Sequence, residues 1–125
     1  MSKDIKRLPD SELEVMQAIW SCDPPVPRAE LERVMAEIHP MAQTTMLTLV
    51  TRLAGKGFIS IEKQGRSSVY TPLVSERDYT AAQSRSFVDR LFHGDVAAFA
   101  SSLTDGGLDP EEIAELRRVL QEGEL

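Results

Sequence analysis

At Gly57 the spacing of apolar residues changes from that of helices to that of strands, and this break limits what the first 74 residues can fold into. Before it, three helical segments are legible. Ser11 and Glu14 form an S-x-x-E capping box around the start of the series Leu13, Met16, Ile19 and Trp20, which predicts a helix from about Asp10 to Ser21. Asp23, Pro24, Pro25, Val26 and Pro27 make a turn with a proline suited to the first helical position. Ala29, Leu31, Val34, Met35 and Ile38 then recur at helical spacing until about His39, because Pro40 cannot continue a helix. A third helix is predicted from Ala42 to Lys56, with Gly57 as its left-handed C-cap. After the break, Ile59 and Ile61, then Val69 and Thr71, alternate on either side of Gln64, Gly65 and Arg66, as in a two-stranded hairpin with a short glycine turn.

Helical patterning returns at Ser75. A long helix can run from there to about His93, a short one follows Asp95, and Asp109, Pro110 and Glu112 open a last one with an N-cap, an N1 proline and a capping-box acid. The order ααα, ββ, ααα describes a mainly α protein with a small β-hairpin, read as a winged helix-turn-helix domain over residues 1–74 followed by a helical region over 75–125. A chain of 125 residues supports one ordinary core or two small ones, which excludes large barrels and doubly wound sheets. No apolar stretch approaches the roughly 20 residues of a membrane span. One cysteine and two histidines offer neither a disulfide nor a metal-spaced cluster, and no phosphate-binding glycine loop or Ser/His/Asp set is visible. The expectation is a cytoplasmic protein that performs no chemistry and holds no metal or cofactor.

The net charge of −6 argues at first against a polyanionic partner. Its distribution argues otherwise. Residues 1–74 carry nine Lys/Arg against nine Asp/Glu, whereas residues 75–125 carry five against eleven. Within 39–74, Arg52, Lys56, Lys63 and Arg66 face a single carboxylate, Glu62. A basic segment is thus embedded in an acidic chain.

On a helical wheel, Met46, Leu49, Val50 and Leu53 gather on one side of the third helix and Thr44, Thr48, Thr51, Arg52 and Gly55 on the other. Threonines lower helix propensity, and solvated faces favour Glu, Lys and Gln, so Thr44, Thr45, Thr48 and Thr51 are unusual there. A threonine offers a hydroxyl to phosphates or base edges and a methyl to the thymine methyl, and its shortness lets a helix lie deep in a major groove. A tolerated surface is the alternative. The preceding helix, the turn at Pro40 and the cationic hairpin favour the arrangement that puts a third helix in the groove and a wing on the sugar-phosphate backbone. The residues assigned to DNA are Gln43, Thr44, Thr45 and Thr48 toward bases and nearby phosphates, and Arg52, Lys56, Lys63 and Arg66 toward the backbone. A winged-helix module that docks a protein through the same face, without binding DNA, is the other reading.

The string Thr44, Thr45, Met46, Leu47, Thr48 … Arg52, Leu53 … Lys56, Gly57, Phe58 resembles the recognition helix of the penicillinase-repressor family, the BlaI/MecI type of bacterial winged-helix repressors. Glu12 to Met16 with Ile19 and Trp20 is similar to its first helix, Gly65 and Arg66 with Tyr70 to Val74 to its wing, and Phe87 to Gly94 with Glu111 to Leu116 to its C-terminal pattern. The resemblance spans about residues 8 to 122. It implies a homodimer on a dyad operator in double-stranded DNA, with the 75–125 region as dimerisation domain. The apolar stripes Phe87, Leu91, Phe99, Leu103, Ile113, Leu116 and Leu120 suit that interface, since a tail of about 50 residues buries them poorly alone; a core formed against the wing domain is the alternative. The resemblance further implies a regulatory protease or another inducing factor. Relatives tied to antibiotic resistance are cleaved at an Asn-Phe bond where this chain has Ser102 and Leu103, and the cysteine cluster of the copper-responsive branch is absent.

Overall fold

The computed structural model describes residues 5–123, in the order α1 (Asp10–Trp20), β1 (Val26–Pro27), α2 (Arg28–Ile38), α3 (Gln43–Gly55), β2 (Ile59–Gln64), β3 (Ser67–Pro72), α4 (Glu76–Phe92), α5 (Val96–Asp105) and α6 (Pro110–Glu122). It divides into two compact units, with the division inside α4 between Gln83 and Ser84. The boundary read at 74/75 marks the change in element pattern.

In the first unit α1 packs on α2 and α3, and a small sheet closes the core. The apolar spacing sets this packing: Val15, Met16 and Ile19 of α1, Leu31 and Met35 of α2, and Met46, Val50 and Leu53 of α3 are all buried. Removing a side chain from such a site, as in Leu53→Ala, costs about 2–5 kcal/mol. The hairpin pairs Ile59 with Pro72 through Gln64 with Ser67, leaving Gly65 and Arg66 as the turn. Gly65 has φ +66°, at the first central position where a two-residue turn matching the strand twist calls for glycine. Gly57, at φ +83°, takes the left-handed conformation that lets the chain leave α3 for β2.

Three features correct the expectations. The sheet has three strands in the order β1-β3-β2, because Val26 and Pro27 pair antiparallel with Tyr70 and Val69. Two residues are too few to show a period, and Pro27, which lacks an N–H, is tolerated because β1 is an edge. The capping box at Ser11 and Glu14 does not form: Pro9 is the N-cap, its carbonyl accepts from the Leu13 N–H at 2.9 Å, and Ser11 lies inside the helix. Glu14 instead faces His39 across 3.7 Å. Pro27 likewise stands at the N-cap of α2 rather than its first helical position.

The first turns of α4 belong to this unit through Tyr79. The buried Tyr79 ring packs on Trp20 and Phe58 at centroid distances of 5.7 and 5.9 Å, and its hydroxyl accepts from the Leu8 N–H at 2.8 Å. Trp20 donates its indole N–H to the Val74 carbonyl at 2.9 Å, and Gln83 donates to the Ile5 carbonyl at 2.9 Å. In the second unit, Asp95 caps α5 by accepting from the Ala98 N–H. Asp109 and Glu112 complete a reciprocal capping box at α6 with Pro110 in the first turn, as the sequence predicts.

Candidate nucleic-acid interface

The inner face of α3 is held by its four buried apolar side chains, which fixes what its outer face presents. Gln43, Thr44, Thr45, Thr48, Thr51 and Arg52 are all exposed, and an added Cβ at Gly55 would meet nothing within 4 Å. The surface is therefore short and uncharged apart from Arg52. The Thr48 hydroxyl donates to the Thr44 carbonyl at 3.0 Å and that of Thr51 to Leu47 at 3.0 Å. A hydroxyl so committed keeps its acceptor lone pairs and points no free proton outward, so Thr48 offers a methyl group and an acceptor oxygen.

Two of the residues assigned to DNA are already engaged. Gln43, the first residue of α3, donates its amide N–H to Oε2 of Glu32 on α2 at 2.7 Å. Lys56, just past the end of α3, holds its ammonium against Oε1 of Glu12 on α1 at 2.5 Å. Glu12 is the one charged residue buried among those described, on the core-facing side of α1. A charge taken from water needs a partner, and Lys56 supplies it. In the sequence Lys56 groups with the basic residues because helix periodicity shows which face a residue occupies but not which element crosses it; Glu12 lies 44 positions away.

On the hairpin, Lys63 stands opposite Ser68 near the tip and Arg66 in the turn, both exposed. Neither they nor Arg52 enter an ion pair among the described residues. Their charge is available to an anionic partner. Arg28, at the start of α2, lies outside the residues that the sequence assigns to DNA: its guanidinium binds Glu32 at 3.0 Å and is partly exposed. The sequence carries this pair only as an Arg and a Glu four apart, a spacing that usually marks a solvated helix face. Burial pushes the phenol of nearby Tyr70 up from its ordinary pKa, an effect lowered by Arg28 and raised by Glu32.

The second unit is helical and poorly buried. Val88 is the only buried hydrophobic there among the described residues, and α5 and α6 bury none. Phe87, Phe92 and Phe99 meet edge to face at 6.0, 6.2 and 5.6 Å, yet Phe87 remains exposed. Leu103, Ile113, Leu116 and Leu120 line a groove of about 350 Å³ between α5 and α6. Leu91 is 58% exposed and Leu120 65%. Ser102 and Leu103 are half-buried within α5, the serine hydroxyl donating to the Phe99 carbonyl. Among the described residues no group of His, Cys, Asp and Glu is placed to hold a metal ion, and no helix is long and apolar enough to cross a membrane.

Comparison with known proteins gives the same fold and a family. A penicillinase repressor of Bacillus licheniformis is 34% identical over 121 residues, 96% of this chain and 94% of its own length. The methicillin resistance regulatory protein MecI of Staphylococcus aureus is 29% identical over 124 residues, covering 96% of this chain and 98% of the relative. Among solved structures, the DNA-binding domain of the repressor BlaI matches with a TM-score of 0.53 and 35% identity over 62% of this chain and 94% of that one. The same figures hold for the monomeric form of Bacillus licheniformis BlaI in complex with the blaP half-operator. The first unit is therefore a winged-helix domain, as the element order predicted. With the penicillinase repressor family model matching residues 8–122, nearly the whole chain, this protein belongs to the penicillinase repressor family.

Proposed function

We propose that the chain is a homodimeric, sequence-specific transcriptional repressor that binds a dyad operator in double-stranded DNA. The observation that carries this reading is the outer face of α3, where threonines stand exposed on a helix whose other side is locked into the core. Short polar side chains let that helix enter a major groove, with Thr44, Thr45 and Thr48 toward base edges and Gln43 at its leading end. Arg52, Lys63 and Arg66 neutralise flanking phosphates. Lys56 contributes charge from its place beside Glu12. The protein works by occupancy, without catalysis, metal or cofactor, and acts in the cytoplasm.

The second unit supplies the dimer. Phe87, Leu91, Phe99, Leu103, Ile113, Leu116 and Leu120 leave an apolar surface that one copy does not cover, and a second copy of the same unit is a self-complementary way to cover it. The acidic excess of residues 75–125 keeps this region from adhering to DNA. Relief by a regulatory protease or another inducing factor fits the same reading.

Hydroxyl-radical footprinting on DNA from upstream of the protein's own gene tests the proposal. Two protected half-sites related by a dyad are the expected result. A protein that dimerises yet protects no DNA at low salt contradicts the repressor reading and favours the protein-docking module.

A further inference from the structure

We infer that Glu32 is a specificity-determining positioning residue that fixes the orientation in which Gln43 presents its amide to a base. This rests on the DNA-binding reading of α3. Glu32 lies on α2, its side chain 35% exposed, and its Oε2 accepts from both the Gln43 amide at 2.7 Å and the Arg28 guanidinium at 3.0 Å. A carboxylate has no proton to give and so selects the nitrogen end of a carboxamide, never the oxygen end. Free carboxamides turn over at little cost, whereas this one is held with its nitrogen toward α2. Two groups remain for a partner, the Gln43 carbonyl oxygen and the second N–H, and with Glu32 taking the N–H trans to the carbonyl they form one acceptor beside one donor. Adenine presents the complementary N6–H and N7 in the major groove, and a bidentate glutamine contact is the ordinary way to read it.

The charge balance suits the task. An unpaired carboxylate at the leading end of a groove-entering helix would repel phosphate, and Arg28 offsets it without competing for the Gln43 proton. Glu32 thus acts through Gln43 rather than on the nucleic acid. Holding the amide in its reading orientation before contact removes part of the ordering cost of binding, which raises discrimination more than general adhesion.

The test uses the full-length protein and a set of operator duplexes in which each base pair of one half-site is varied in turn. Wild type is expected to prefer A·T at one position by about tenfold, the range of a bidentate contact. Gln43→Ala abolishes that preference. Glu32→Ala reduces it to about two- to threefold, and Glu32→Gln, whose own amide can give a proton as well as accept one and so no longer selects the nitrogen end of Gln43, reduces it nearly as far while binding all duplexes somewhat more tightly. Glu32→Ala in the Gln43→Ala background changes no preference further. Full preference in Glu32→Ala, or an equal effect of that substitution with and without Gln43, overturns the inference while leaving the DNA reading intact. Wild type that binds no duplex sequence-dependently overturns the DNA reading, and the inference with it.

Discussion

Replacing Lys56 with methionine tests whether this cation belongs first to the fold. The change keeps most of the aliphatic stem and deletes the charge that faces Glu12. Breaking a fully buried pair costs about 3–5 kcal/mol, whereas exposed pairs are worth about 0–1 kcal/mol. Here the carboxylate side chain is 4% exposed and the lysine 43%, so water reaches one partner and not the other. An intermediate loss of about 2 kcal/mol follows. At a urea slope of about 1.5–2 kcal/mol per molar, the unfolding midpoint should fall by about 1 M with the slope unchanged. Trp20, the single tryptophan, sits in the first unit against Tyr79 and Val74, so its fluorescence reports that unit without interference from the second. In the Glu12→Leu background the same substitution should cost far less, because no buried charge is orphaned. A midpoint within about 0.2 M of wild type, or equal effects in both backgrounds, refutes the pairing.

Arg66→Ala and Lys63→Ala should each weaken binding about equally for all duplexes and lower the salt slope by about one, as read by binding isotherms at several salt concentrations; unchanged slopes remove the wing from the contacts. Thr48→Ala should shift base preference in a duplex selection, since it deletes the exposed methyl and acceptor; an unaltered profile contradicts its assignment to base edges. Leu120→Asp should leave helicity intact and raise the dimer dissociation constant at least about tenfold in sedimentation, because this side chain is 65% exposed in a single copy and apolar contact in the proposed dimer. Gly57→Ala should destabilise the first unit by about 1 kcal/mol through backbone strain alone, since its added Cβ meets nothing within 4 Å; no change in Trp20 fluorescence midpoint argues against a required left-handed residue.

Much of this architecture is written locally. The inner stripe of α3, the glycine at φ +83° that ends it, the Gly65 turn and the Asp109-Pro110-Glu112 start of α6 each follow from a few adjacent residues, and all are found where the pattern puts them. The exposed threonines were legible because periodicity assigns a face. What escaped depends on partners distant in the chain. Glu12 reads as a polar residue of a first turn until Lys56 arrives beside it, and Gln43 reads as a free base-reading amide until Glu32 is seen to hold it. β1 escaped because two residues, one of them a proline and two more prolines just before them, carry no alternation. Ser11 and Glu14 misled for the opposite reason: the local pattern is good, but Pro9 had already set the helix start.

The threonine face of α3 is proposed to read DNA in a dimer. Fluorescence anisotropy of the protein with a labelled duplex from its own upstream region, against a scrambled duplex at two salt concentrations, addresses it most directly. Tight binding of the native duplex with two protomers per duplex, weakened by salt and much reduced for the scrambled sequence, is the predicted result. Equal affinity for both duplexes, or none for either at low salt, would contradict it.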